Sequence, residues 1–249
     1  MKRSAISALF LCAALPFSSS SSGEPLSLSA NRINTMLAKQ DYPLTTQQKY
    51  LAFIAAQAAS GNMPKLNRAL HQGLDNGLTI SDCREILTQL YAYAGFPRSL
   101  NALAELMQVA NTRKVQGMQD VEGSLPGPMP KPDEMLAAGT QNQTALVGKP
   151  VKGPLFDFAP AAGEYLKTHL FGDIFSRDNL DWKSRELATV GALSAMEGVD
   201  PQLQAHLNMS MNTGIMYAQL AELVPFFEAQ GEQVSANRLR VALNSVRTD

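Results

Sequence analysis

Apolar residues recur along the chain at helical spacing. Leu51, Ile54, Ala55 and Ala58 fall at i, i+3, i+4 and i+7, which predicts one buried helical stripe. Thr45 followed by Gln48 reads as a capping box opening that helix, and Gly61-Asn62 as its stop. Pro64 suits the first turn of the next helix, which Gly77 closes. Thr79 or Ser81 opens a third helix through Ile86, Leu87, Leu90 and Ala94; Gly95-Phe96-Pro97 breaks it, and Arg98 to Val115 forms a fourth. Further on, Asp181 caps a helix through Leu187, Val190 and Leu193, and Pro201 opens another that runs to Gly214. Tyr217 to Gln230 follows, with Pro225 placed to kink it. No period-2 β-rich run competes, so the pattern predicts an all-α protein.

The pattern also repeats. Leu44 to Ala52 lines up with Leu180 to Ala188. Leu66, Leu70 and Gly77 line up with Leu203, Leu207 and Gly214, and Gly95 and Asn101 with Gly231 and Asn237. The offset holds at 136 or 137. A constant offset over this length predicts two copies of one helical unit, residues 30–115 and 160–249, packed about a pseudo-twofold. Residues 116–159 join them and are rich in proline: Pro126, Pro128, Pro130, Pro132, Pro150 and Pro154, with Pro160 just beyond. Proline removes backbone donors and fixes φ, so this connector is expected to be irregular, and to wrap the surface or reach a neighbouring subunit.

The N-terminus changes what the remaining residues must do. Lys2 and Arg3 precede an apolar run, Ala5 to Phe17, and Ser18 to Gly23 offer small residues for cleavage. That is the layout of a signal peptide, expected over residues 1–22, and it implies an exported protein, periplasmic or secreted. The run is too short to span a membrane, so no stable membrane insertion is expected after processing. Removal of the leader takes Cys12 with it and leaves Cys83 as the one thiol, which excludes an internal disulfide and any CxxC centre. With 21 Lys+Arg against 22 Asp+Glu and a pI near 6.3, there is no basic field for a nucleic-acid partner.

Several stretches together resemble the carboxymuconolactone decarboxylase family in a tandem form. In the first unit they are Asn76-Gly77-Leu78-Thr79, Tyr91-Ala92-Tyr93-Ala94-Gly95-Phe96-Pro97 and Ser99-Leu100-Asn101-Ala102. In the second they are His169 to Phe175, Asp181 to Leu187 and Gln204-Ala205-His206-Leu207. The resemblance implies an all-helical fold like that of alkyl hydroperoxidase D, assembled as a symmetric homo-oligomer. It also implies one of two chemistries: cofactor-free decarboxylation of a carboxylated lactone, or thiol peroxidase chemistry using a CxxC pair with a helper Glu and His. Glu186 and His206 match the family's acidic and histidine positions. The cysteine pair would fall near Glu197 to Gln202, where there is none, which argues against the alkyl hydroperoxidase-like reading. In the first unit the same two positions hold Tyr50 and Ala69, but the aromatic turn is kept. If the halves pack together, polar groups from one and an aromatic wall from the other make one composite pocket.

Decarboxylation of such a lactone leaves an electron-rich carbon that must be protonated, so the site needs a proton donor, a carboxylate anchor and a dry wall. His206 is expected as acid/base with Glu186 orienting it. Arg185, Lys183 or Arg98 would anchor substrate carboxylates. His169, Tyr91, Tyr93 and Phe96 are expected to line the pocket. Each residue also has a plain structural reading: His206 as a core histidine, Glu186 as half of an ion pair, Arg98 as a helix-end charge, the tyrosines as packing, Cys83 as a bystander. No ligand spacing demands a metal. The expected function is therefore decarboxylation or a related proton transfer on a small carboxylated lactone or ring acid, without cofactor. A peroxide-linked oxidoreductase and a non-catalytic envelope binding protein stand as alternatives.

Overall fold

The computed structural model describes residues 42–246. The expected leader over residues 1–22, Cys12 and the first part of the 30–115 unit lie outside the described residues. Those described are all-helical, with no strand among them. In chain order the helices are α1 (Thr46–Ser60), α2 (Met63–Asp75), α3 (Ile80–Gln89), α4 (Tyr91–Val115), α5 (Met135–Val147), α6 (Pro154–Phe158) and α7 (Pro160–Tyr165). A π-helical segment (Leu166–Ile174) follows, then α8 (Trp182–Ser194), α9 (Asp200–Asn212), α10 (Tyr217–Ala221), α11 (Leu223–Ala229) and α12 (Gln233–Val246). No described helix is long and apolar enough to cross a membrane.

Helix α1 starts where the capping box places it. Thr45 Oγ1 accepts from Gln48 N at 3.2 Å, and Gln48 Oε1 accepts from Thr45 N at 2.9 Å. Gly61, at φ +74, stops it in the left-handed region that a side chain would resist. The expected single stripe is, however, too narrow: every residue from Tyr50 to Ala59 is buried. The reason is in the same sequence. Ala52, Ala55, Ala56, Ala58 and Ala59 leave room for neighbours all round the helix.

The partner of α1 is α8, itself buried from Arg185 to Ser194 and capped by Asp181, whose Oδ1 accepts from Ser184 N at 2.7 Å. The two make the molecule's main helix pair. At their crossing a Cβ on Gly191 would stand 2.0 Å from the Ala52 carbonyl oxygen, so the backbones meet directly. The pairs α1–α2 and α8–α9 start 136 and 137 residues apart. One apolar core draws on residues from Leu44 through Val109 and from Leu180 through Leu243.

The expected break at Gly95 is present, and a turn at Leu90 divides the chain earlier as well. Helix α3 ends at Gln89, and Tyr91–Ala94 already belongs to α4. Gly95, at φ +81 and ψ +160, kinks α4, and its long arm carries on through Pro97. Pro225 has its expected effect. It lacks the N–H that would bond the Ala221 carbonyl, and the run splits at Glu222 into α10 and α11.

The connector needs a correction. Residues 118–130 are irregular and lie along α3, with Ile80 N donating to Val121 O at 2.9 Å and Ser81 N to Glu122 O at 2.8 Å. Between Pro132 and Pro150, though, there is no proline, and this window forms α5. Helix α5 crosses the π-helical segment so closely that a Cβ on Gly139 would meet the Lys167 carbonyl oxygen at 1.8 Å. A second apolar cluster, Leu146, Leu170, Phe171, Ile174, Phe175 and Met209, forms there.

Candidate functional site

Helices α8 and α9 are consecutive, and their packing brings Glu186 against His206. The Nδ1–H of His206 donates to Glu186 Oε2 at 2.8 Å, with Glu186 fully buried and His206 6% exposed. A carboxylate on Nδ1 fixes the imidazole tautomer and leaves Nε2 as the chemically free nitrogen. No described residue bonds Nε2, and it is not among the ring's sealed atoms. The arrangement suits a proton acceptor or donor whose working end is Nε2.

Tyr93 stands beside the pair. Its ring meets the His206 ring edge-on, with centroids 5.3 Å apart at 79°. It packs against both apolar clusters and so stands at the junction of the two. Burial, with the Glu186 charge adding, pushes its phenol well above the ordinary range, so it remains a neutral O–H donor. Thus the polar pair of the later helices does meet an aromatic from the earlier ones.

The other expected residues lie elsewhere. Arg185 is fully buried with its guanidinium turned to α3: Nη2 donates to Glu85 Oε2 at 3.0 Å and to the Arg177 carbonyl at 3.1 Å. Its guanidinium is bonded inside the fold, to the Glu85 carboxylate that Arg177 also holds, so the expected role as a carboxylate anchor is corrected to that of an internal ion-pair partner. From sequence, a cation one turn into a helix looks solvated; here the α3 face opposite it is polar, and that face is what holds it. The guanidinium of Arg98 lies over Gly61 at the C-terminus of α1, where a cation suits the helix dipole. Lys183 is exposed and reaches Gly214. His169 is exposed and pairs with Asp173 at 3.1 Å on the π-helical segment. Phe96 is 61% exposed and stacks on Tyr91, with centroids 4.6 Å apart, outside the Glu186–His206 contact. Cys83 is buried, and burial pushes its thiol far up, with Asp82 and Asp120 adding, so it is a poor nucleophile. His71 Nδ1 lies 3.3 Å from Arg113, a structural arginine that also binds Asp120 and Asp75.

Sequence reasoning missed the buried polar face of α3. Ser81, Glu85 and Gln89 recur at i, i+4 and i+8, and all three are buried. Arg177 grips Glu85 with two bonds of 2.8 and 2.7 Å, and Arg185 adds a third. Burial alone would raise the Glu85 pKa, but these hydrogen bonds, with Asn179 and the Arg185 charge, hold it at about 2. Gln89 Nε2 donates to the Arg185 carbonyl at 2.9 Å and to Thr189 Oγ1 at 3.1 Å. The i+4 spacing of polar residues was the available signal. No group of three or more metal-ligating side chains occurs among the described residues.

No curated protein matches the chain. Residues 160–226 match the carboxymuconolactone decarboxylase family, a span that holds both Glu186 and His206. With an all-helical fold and the acidic and histidine positions of the pattern filled, the chain is similar to the carboxymuconolactone decarboxylase family over this segment.

Proposed function

We propose that the protein is a cofactor-free proton-transfer enzyme, a lyase acting on a small carboxylated lactone or ring acid. His206 is its acid/base and Glu186 its orienting partner. The observation that carries this reading is the buried 2.8 Å bond from His206 Nδ1 to Glu186, with Nε2 left free beside the Tyr93 ring. In a decarboxylation the C–C bond to the carboxylate breaks, carbon dioxide leaves, and the electron pair remains on the ring carbon. A proton from His206 Nε2 then quenches that carbanion, and Glu186 stabilises the imidazolium beforehand. The peroxidase alternative lacks its thiol pair in the sequence, and Cys83 is buried.

Two wider features belong to the same reading. The leader-like pattern of residues 1–22 supports an exported protein, whose substrate then differs from a cytoplasmic lactone acid. Exposed apolar side chains at Phe96, Leu100 and Met107 on α4 support assembly with further copies of the chain. The internal offset of 136–137 residues supports descent of the two halves from one unit.

The test is turnover of a panel of lactone acids and cyclic keto acids, followed by carbon dioxide release and by deuterium incorporation at the acidic carbon. Substituting His206→Ala is expected to lower the rate by about 10²–10⁴-fold, and Glu186→Gln to lower it less. Turnover unchanged in His206→Ala would end the proposal.

A further inference from the structure

A fully buried hydroxyl on α8, that of Thr189, meets side chains from two other helices. A threonine hydroxyl has one hydrogen to give and two lone pairs to offer. Its hydrogen goes to the Arg185 carbonyl at 2.9 Å, one turn back on its own helix. A lone pair accepts from Gln89 Nε2 of α3 at 3.1 Å. The same nitrogen donates to the Arg185 carbonyl at 2.9 Å, and Arg185 Nη1 lies 3.4 Å from Gln89 Oε1. Gln89, itself buried, therefore grips the stretch from Arg185 to Thr189, and that stretch carries Glu186. The phenol of Tyr93, from α4, also interacts with the Thr189 side chain.

The way α3 ends brings these groups together. Gln89 is its last residue, and after the turn at Leu90 the short arm Tyr91–Ala94 opens α4. The amides of Tyr93 and Ala94 both donate to the Leu90 carbonyl, at 3.0 and 2.8 Å. Gly95 then breaks the helical path, and Ser99 Oγ ties the long arm back to the Leu87 carbonyl at 2.7 Å. Gln89 on one side and Ser99 on the other thus fix the path of the short arm. They do not fix the Tyr93 ring, which turns about its own two torsions. The polar handle of a buried tyrosine ring is its phenol.

We infer that Thr189, braced by Gln89, is the positioning residue for Tyr93: it holds the phenol and so keeps the Tyr93 ring edge-on to His206. Thr189 follows Glu186 by three residues on α8, so one helical turn sets both the carboxylate that orients His206 and the ring that stands beside it. Gln89 belongs to the buried polar face of α3, and its place at the end of that face gives it a task that the ion pairs of Glu85 do not share. The consequence for turnover rests on the function proposed above; the control of the ring does not.

The experiment compares Thr189→Val, which keeps the shape and drops the hydroxyl, with Thr189→Ser, which keeps the hydroxyl. In Thr189→Val, Gln89 Nε2 and the Arg185 carbonyl still have each other. The readout is the NMR shift of the His206 ring C–H protons, which the ring current of Tyr93 displaces, taken at about pH 9, above the range in which histidine ordinarily titrates. It needs no substrate, so its failure is separate from failure of the proposed activity. Thr189→Val and Gln89→Leu are expected to move these signals, and Thr189→Ser to leave them near wild type. In a Tyr93→Phe background, with no phenol to hold, Thr189→Val is expected to add nothing. With a substrate in hand, Thr189→Val is expected to lower kcat about 10-fold and leave KM unchanged. Three outcomes would overturn the inference: signals unmoved in Thr189→Val whatever its loss of stability, an equal movement in the Tyr93→Phe background, or Thr189→Ser behaving as Thr189→Val. Should Gln89→Leu not fold, the two Thr189 variants decide.

Discussion

Glu85 is a carboxylate sunk among helices with two arginines on it, and it makes an acid-labile joint. Its folded pKa, about 2, lies below the ordinary value near 4.3. The stability it contributes is therefore complete above about pH 4.5 and is lost as pH falls through about 2. Glu85→Gln is expected to flatten the stability–pH curve across that window, read by denaturant unfolding at successive pH values. At neutral pH it leaves Arg185 buried without its counter-charge, at a cost of about 3–5 kcal/mol. An unchanged acid limb would show that other carboxylates set it. At this scale the dyad was legible and the arginine was not. Glu186 and His206 are placed by spacing on adjacent helices. The role of Arg185 depends on which face of α3 turns towards it, and that is decided by packing a hundred residues away in sequence.

Helix α1 shows what periodicity can and cannot say. It located the helix and its cap, because both are local. It underestimated the burial, because an alanine-rich helix offers no large polar side to mark as solvent-facing. The close crossing of α1 and α8 likewise leaves only a glycine as its trace. Substituting Gly191→Ala would gain about 1 kcal/mol in helix propensity if the site were open. Here the new methyl would meet the Ala52 backbone oxygen at 2.0 Å, and a backbone cannot turn aside as a side chain can. The expected net effect is a loss of about 1–3 kcal/mol, seen as a lower thermal midpoint. A midpoint at or above wild type would mean the helices part easily. Helix α5 teaches the converse lesson: prolines mark where a chain is irregular only where they stand, and the gap between Pro132 and Pro150 is long enough for three turns.

Across the whole molecule, the two halves that the sequence separates are not separate bodies. The main core takes residues from both, and the aromatic beside His206 comes from the half that lacks the polar pair. The all-helical class was readable from periodicity; the mutual dependence of the halves was not, since it arises from faces with no local signature. The irregular strap after Gly117 is the one covalent link between them, and residues 121–125 are exposed. A protease site inserted after Gly117 should thus give, on cleavage, two fragments that elute together in native gel filtration and separate only in denaturant. Fragments that drift apart without denaturant would show the core to be weaker than its burial suggests. If they stay together, the chain is a ready-made complementation pair: two polypeptides that set Tyr93 back beside His206 only on meeting, and hence a reporter of whatever brings them into the same compartment.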